Sequence, residues 1–189
     1  MTGVEAHAHR LASRLAVPDD VPALTVLMDA AIAELQRGFL DEAQIESSRA
    51  IMGIDTQLID DGTYFVVESG GELAGCGGWS RRATLYGGNQ APGRDANLLD
   101  PAVDPARIRA MYTHPAHARR GVGRLVLSLC ESAAAAEGFT RLSLMSTLSG
   151  EPLYTGYGFM PLERLEDSTG GAPVPIVRME KPIRPRMKA

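Results

Sequence analysis

The chain has 189 residues, 44% of them hydrophobic and 22% charged, with two cysteines and a formal net charge of −4. These values suit one globular domain that buries its own core, and they exclude a disordered chain. The mild acidity also counts against a nucleic-acid binder, which needs an excess of Lys and Arg on one face. Cys76 and Cys130 show no CxxC or Cys/His ligand spacing, so a reducing compartment and no metal site are expected. Met1 to Leu11 carries His7, His9 and Arg10 but no apolar stretch of the signal-peptide kind,. No run approaches the roughly 18 apolar residues of a membrane helix, and a cytoplasmic protein is the expectation.

Arg10 to Val17 alternates as a short strand and is broken by Pro18-Asp19-Asp20. An aspartate there caps the helix that follows, in which Leu24, Leu27, Met28, Ala31 and Leu35 form one apolar stripe before Gly38,. Asp41 to Met52 reads as a second, lightly buried helix. Thr63 to Glu68 is aromatic and β-branched, and Ser69-Gly70-Gly71 turns it into Leu73 to Ser80 as a β-hairpin,. Gly75, Gly77 and Gly78 weaken that return strand and suggest that something approaches its backbone closely,. Residues 81 to 104 have no periodicity and contain Gly87-Gly88 and Pro92-Gly93, the composition of a functional lid or a disordered segment,.

Arg107 to Thr113 is the next strand, and Gly121 to Glu137 a long helix with Val122, Leu125, Val126, Leu129, Ala133 and Ala136 on one face and Gly138 at its end,. Thr140 to Met145 is a strand, Glu151 to Tyr157 a short helix stopped by Gly158, and Phe159 to Leu162 with Pro173 to Lys181 a closing pair of strands,. Residues 1 to 9 and 182 to 189, the latter with Arg184, Arg186 and Lys188, are expected to be flexible termini,. The order of elements gives a single α+β domain on a mixed, mostly antiparallel sheet.

The chemistry concentrates in Met111-Tyr112-Thr113-His114-Pro115-Ala116-His117-Ala118-Arg119-Arg120-Gly121-Val122-Gly123-Arg124. A strand ends, a basic turn follows, and a helix starts at glycines. A helix N-terminus presents unpaired N–H groups and the positive end of a dipole, which suits phosphate. Gly121 and Gly123 let an anion approach the backbone, and Arg119, Arg120 and Arg124 add charged donors. No Lys-Ser/Thr pair follows, so this is not a Walker A loop. The Rossmann spacing of a third glycine and a distant acidic residue is also missing.

The segment resembles the GNAT superfamily of N-acetyltransferases, whose signature is Gln/Arg-x-x-Gly-x-Gly/Ala at a strand-to-helix turn, then a strand, then Tyr-x-x-x-Gly-Phe. Here Arg119-Arg120-Gly121-Val122-Gly123 is followed by Leu142 to Met145 and by Tyr154-Thr155-Gly156-Tyr157-Gly158-Phe159. The first signature position departs, being Ala118. The resemblance spans about Arg10 to Lys181. It implies a GNAT-like domain at 10–181 with about four helices flanking the sheet, and acetyl-CoA as cofactor. Met111 and Thr113 would pair with its pantetheine arm while Tyr112 points to the other face. The turn from Arg119 through Arg120, Gly121, Val122, Gly123 and Arg124 would hold the pyrophosphate, with Ser146 or Thr147 nearby.

An ammonium group has no lone pair, and an alkyl amine has a pKa near 10, by analogy with lysine at about 10.4, so acetyl transfer to it needs a base. The resemblance implies Tyr154 as general acid and a backbone amide near Met111 as donor to the carbonyl oxygen. It places Glu34, Glu42 and Glu46 on the substrate side, with Glu34 or Glu46 as the base, and Trp79 and Tyr86 in the acceptor pocket. Tyr157, His114, His117 and Cys130 read as packing or structural residues. The acceptor would be a primary amine of a small molecule or peptide, and the assembly a homodimer. Alternatives are a catalytically silent acyl-CoA-binding regulatory module and an unrelated nucleotide-binding domain.

Overall fold

The computed structural model describes residues 10–184; the expectations for residues 1–9 and 185–189 lie outside the described residues. Among the described residues the strands are β1 Leu11–Leu15, β2 Tyr64–Ser69, β3 Glu72–Ser80, β4 Ala106–Thr113, β5 Arg141–Thr147, β6 Met160–Asp167 and β7 Val174–Pro182. The helices are α1 Val21–Leu35, α2 Glu42–Ser48, α3 Thr56–Asp60, α4 Val122–Ala136 and α5 Glu151–Tyr157. The sheet order is β1-β2-β3-β4-β5-β7-β6. Every neighbouring pair is antiparallel except β4 with β5. The expected α+β class and mixed sheet are present.

Each face of the sheet carries its own core. Leu24, Leu27, Met28, Ala31 and Ile32 of α1 are buried with Leu58, Tyr64, Val66, Cys76 and Tyr112. On the other face Val122, Val126, Leu127 and Cys130 of α4 are buried with Trp79, Leu142, Leu144, Phe159 and Met179. Both cysteines are buried and unpaired, and burial pushes the Cys76 thiol up to about 12. Neither is placed for chemistry.

Several boundaries differ from expectation. Among the described residues there are five α-helices where about four were expected, because α3 is too short to show a period; Asp55 starts it by accepting from the Gln57 amide at 3.2 Å. The second helix stops at Ser48, and the chain to Met52 continues as turns. Strand β7 runs to Pro182, and the Ile183 amide donates to the Thr140 carbonyl at 2.8 Å, beyond the expected end of the domain. The glycines of β3 make room for the protein itself rather than for a ligand. A Cβ at Gly75 would strike Val122; at Gly77 it would lie 2.7 Å from Met111 and 2.8 Å from Val126; at Gly78, 2.6 Å from the Thr63 carbonyl.

The segment from 81 to 104 is neither a lid nor a disordered stretch. It is tied down by pairs made far along the chain. Arg82 forks onto Asp61 at 2.7 and 2.8 Å, and the Leu99 amide donates to the Arg81 carbonyl at 2.8 Å. Arg94 donates to Asp55 Oδ1 at 2.7 Å and to the carbonyls of Gly87 and Gly88 at 3.0 Å. Arg109 of β4 donates to Asp55 Oδ2 at 2.8 Å, to the Thr84 carbonyl at 2.9 Å and to the Gly87 carbonyl at 2.6 Å.

The side chains of Asp55 and Arg109 are only 1% and 3% exposed. Removing one partner of such a pair leaves a buried charge without compensation, which costs about 3–5 kcal/mol. Asp55→Ala should therefore lower the unfolding free energy by about 3–5 kcal/mol in urea denaturation, and a loss below about 1 kcal/mol would contradict the role given to this carboxylate.

Candidate active site

The site begins with a distortion in β4. Gly78 pairs with Arg109 and Cys76 with Tyr112, so Ala110 and Met111 together face Gly77 in a β-bulge,. Ala110 takes φ +48°, a left-handed conformation that costs a non-glycine residue about 1–2 kcal/mol,. The Tyr64 hydroxyl donates to the Ala110 carbonyl at 2.7 Å and holds the bulge in place. Burial raises the Tyr64 pKa well above its ordinary value, so this donor stays protonated.

β4 leaves its parallel neighbour ahead of the bulge. The two strands pair only at Ala106 with Leu142 and at Arg107 with Ser143. The remainder of β4, to Thr113, and of β5, to Thr147, are not paired with each other and leave a cleft. Met111, Met145, Thr147 and Tyr154 line it on one side, and Ile51, Met52, Leu85 and Tyr86 on the other.

At the end of β4 a single 3-10 turn, Pro115–His117, leads to Arg119 at φ +65° and Gly121 at φ +85°. Gly121 starts α4, and no side chain caps that helix, so its first-turn amides stay available to an anion,. Arg119 and Arg120 are exposed and make no hydrogen bond or ion pair with the described residues. Arg124 lies over the Tyr157 ring at 5.6 Å. The two glycines differ in purpose. A Cβ at Gly121 would meet open space, whereas one at Gly123 would sit 2.6 Å from Leu153, so Gly123 serves the contact of α4 with α5. His114 accepts from the Ala116 amide at 3.2 Å and His117 is buried beside Glu72, both parts of the turn.

Tyr154 lines the cleft from α5, its ring T-shaped to that of Phe159 with 5.9 Å between centroids, and its hydroxyl has no hydrogen-bond partner among the described residues. Burial, and then the neighbouring Cys130, push its pKa up and keep the phenol protonated. Tyr157 faces away, packed under Arg124 and Lys181. Across the cleft the Tyr86 hydroxyl donates to Asp167 Oδ2 at 2.8 Å, and burial together with that carboxylate pushes its pKa up to about 12. Burial pulls Asp167 the other way, yet the Thr169 amide at 2.9 Å and the Tyr86 hydroxyl hold it below the ordinary carboxylate value.

Met111, Tyr86 and Tyr154 thus line one cleft. Other expected site residues do not join them. Glu34 and Glu42 are exposed, and Glu46 is 81% exposed and paired with Arg49 at 3.3 Å; none of them lines the cleft. For Glu42 and Glu46 the reason lies in α2, which buries Ser47 and Ser48 and turns its glutamates to solvent; Glu34 lies off the buried stripe of α1. Trp79 is 2% exposed and packs edge-on to Phe139 at 5.9 Å, a core residue and not a pocket wall. Ser146 is buried and donates to the Thr147 carbonyl at 2.7 Å; strand alternation gives the cleft to Thr147,. The Tyr112 side chain points away from the turn, and its hydroxyl accepts from the Gly53 amide at 2.8 Å. Asp167, Met145 and the segment from Ile51 to Gly53 were not anticipated, and no local pattern marks them.

The model of the acetyltransferase (GNAT) family matches residues 27–159. The chain belongs to that family. Among solved structures it is similar to a GCN5-related N-acetyltransferase from Rhodopseudomonas palustris, at 19% identity and a TM-score of 0.67 over 90% of this chain and 94% of that one. It is also similar to the PaiA N-acetyltransferase of Thermoplasma acidophilum in complex with coenzyme A, at 14% identity and a TM-score of 0.62 over 92% and 99%. Ard1 of Thermoplasma volcanium aligns at 14% identity and a TM-score of 0.60 over 93% and 99%. At these identities the likeness establishes the GNAT fold. No curated protein matches the chain. Acetyl transfer is the chemistry that family membership assigns to it.

Tyr112 ties the wall at Gly53 to the strand that carries Met111. Tyr112→Phe leaves a part-buried amide without its acceptor and should destabilise the domain by about 1–3 kcal/mol in urea denaturation, whereas an unchanged midpoint would mean the bond holds nothing,.

Proposed function

We propose that this GNAT chain transfers the acetyl group of acetyl-CoA to a primary amine of a small molecule or peptide, by direct attack within a ternary complex. The observation that carries this reading is the cleft between β4 and β5, which Tyr154 of α5 lines while Leu153 of the same helix packs against Gly123 in the first turn of the uncapped α4. The residues present fit the cofactor. First-turn amides without a cap, open space at Gly121, and the unpaired Arg119 and Arg120 suit a pyrophosphate,. The end of β4, at Met111 and Thr113, pairs with β3 but not with β5, which leaves its β5 side open to an amide-bearing arm. The departure at Ala118 is offset by Arg119, next along the turn. A similar fold has been solved with coenzyme A bound.

Bound there, acetyl-CoA supplies an activated thioester carbonyl. The Met111 amide, turned by the bulge, is the donor for charge developing on the carbonyl oxygen. Tyr154, protonated and unpartnered, gives its proton to the departing sulfur,. This last feature favours an enzyme over a silent acyl-CoA-binding module, which has no use for a free phenol in the cleft. Among the described residues no cluster of His, Cys, Asp and Glu is placed to hold a metal, and no helix is long and apolar enough to cross a membrane.

The test is release of free thiol from acetyl-CoA on addition of primary amines. Tyr154→Phe should lower kcat by about a hundredfold, the scale of general acid catalysis, with acetyl-CoA affinity unchanged. Turnover equal to that of the parent would remove Tyr154 from the reaction.

A further inference from the structure

Resting on the amine-transfer reading, a second question concerns where the acceptor's proton goes. The amine arrives as ammonium and must lose a proton before it can attack. The titratable groups lining the cleft are Tyr86, Arg109, Tyr112 and Tyr154. Arg109 is committed to Asp55 and two carbonyls, and Tyr112 accepts from the Gly53 amide. Tyr154 is kept protonated as a donor. No carboxylate or imidazole lines the cleft among the described residues, and Asp55 is neutralised by two arginines.

One carboxylate nevertheless reaches the cleft through another side chain. Tyr86 forms part of the wall, and its hydroxyl hydrogen is directed at Asp167 Oδ2, 2.8 Å away. That leaves the phenol lone pairs as what Tyr86 offers to a ligand. Asp167 ends β6, half-buried, with its other oxygen accepting from the Thr169 amide at 2.9 Å.

We propose that Tyr86 and Asp167 form a proton relay that takes up the acceptor ammonium and deprotonates it. The ammonium donates to Tyr86 Oη. As its proton passes to that oxygen, the Tyr86 proton passes to Asp167 Oδ2, and from the half-exposed carboxyl it leaves to water. The neutral nitrogen then forms the C–N bond while the C–S bond breaks and its electron pair stays on sulfur. Of the three ammonium protons one remains in the amide, one leaves through Asp167, and the third balances the proton that Tyr154 gives to sulfur. Tyr86 touches the substrate; Asp167 positions it and receives the proton.

The relay is separated from a structural clasp by acceptor basicity. Phenethylamine and its β,β-difluoro analogue share a shape, but the fluorines make the analogue's amine far less basic and mostly neutral at the assay pH. Tyr86→Phe and Asp167→Asn should each lower kcat on phenethylamine by about a hundredfold, and much less on the difluoro analogue. The double variant should be no slower than either single one, because the two residues act as a unit. Acetyl-CoA affinity should be unchanged. Equal losses on both amines, multiplicative losses in the double variant, or no loss would overturn the relay alone. Failure of the parent enzyme to release thiol from acetyl-CoA with any primary amine would overturn the amine-transfer reading and the relay with it.

Discussion

The position of Ala110 shapes everything downstream of it. A left-handed residue in the middle of a strand is unfavourable, and it persists because Tyr64, buried in the neighbouring hairpin, donates to its carbonyl. The bulge that results lies in the stretch of β4 that has left β5 after two paired positions. A sheet that stayed paired would have no cleft, and the backbone near Met111 would be consumed by the ladder. The strained residue sits where the chemistry is expected, which is where such strain tends to persist.

The walls of the cleft depend on electrostatics more than on apolar packing. The segment from 81 to 104 has few core residues, and Arg82, Arg94 and Arg109 fix it through Asp61 and Asp55. Burying these charges is costly, and the arrangement stands because each guanidinium also finds carbonyl oxygens,. Tyr86 is presented to the cleft by that scaffold, and its bond to Asp167 links the segment to the far edge of the sheet.

The periodic elements were legible in the sequence because each carries a local signal. The stripe of α1, the aromatic run of β2 and the glycine-started α4 all appear where expected, as does the turn at Arg119 to Gly123. Tyr154, singled out through a family motif, and Tyr86, named as a pocket aromatic, both line the cleft. What could not be read is the product of long-range pairing. Nothing near Asp55 announces Arg109, 54 positions away, and nothing near Asp167 announces Tyr86. Glu34 and Glu46 looked suitable by helix and charge alone, and only the packing of α2 and its neighbours shows them facing solvent. The glycines of β3 were noticed for a sound reason, close approach, but the approaching group is Val122 and Val126 of the same chain.

The central claim is that the uncapped start of α4, beside the divergence of β4 and β5, holds acetyl-CoA. Calorimetric titration of the folded protein with acetyl-CoA, with ATP and NAD as controls and alongside the Arg120→Glu, Gly121→Glu double variant, tests it most directly. Binding selective for acetyl-CoA in the parent and abolished in the folded variant is the predicted result. Absence of binding in the parent, or equal binding by the variant, would contradict the account.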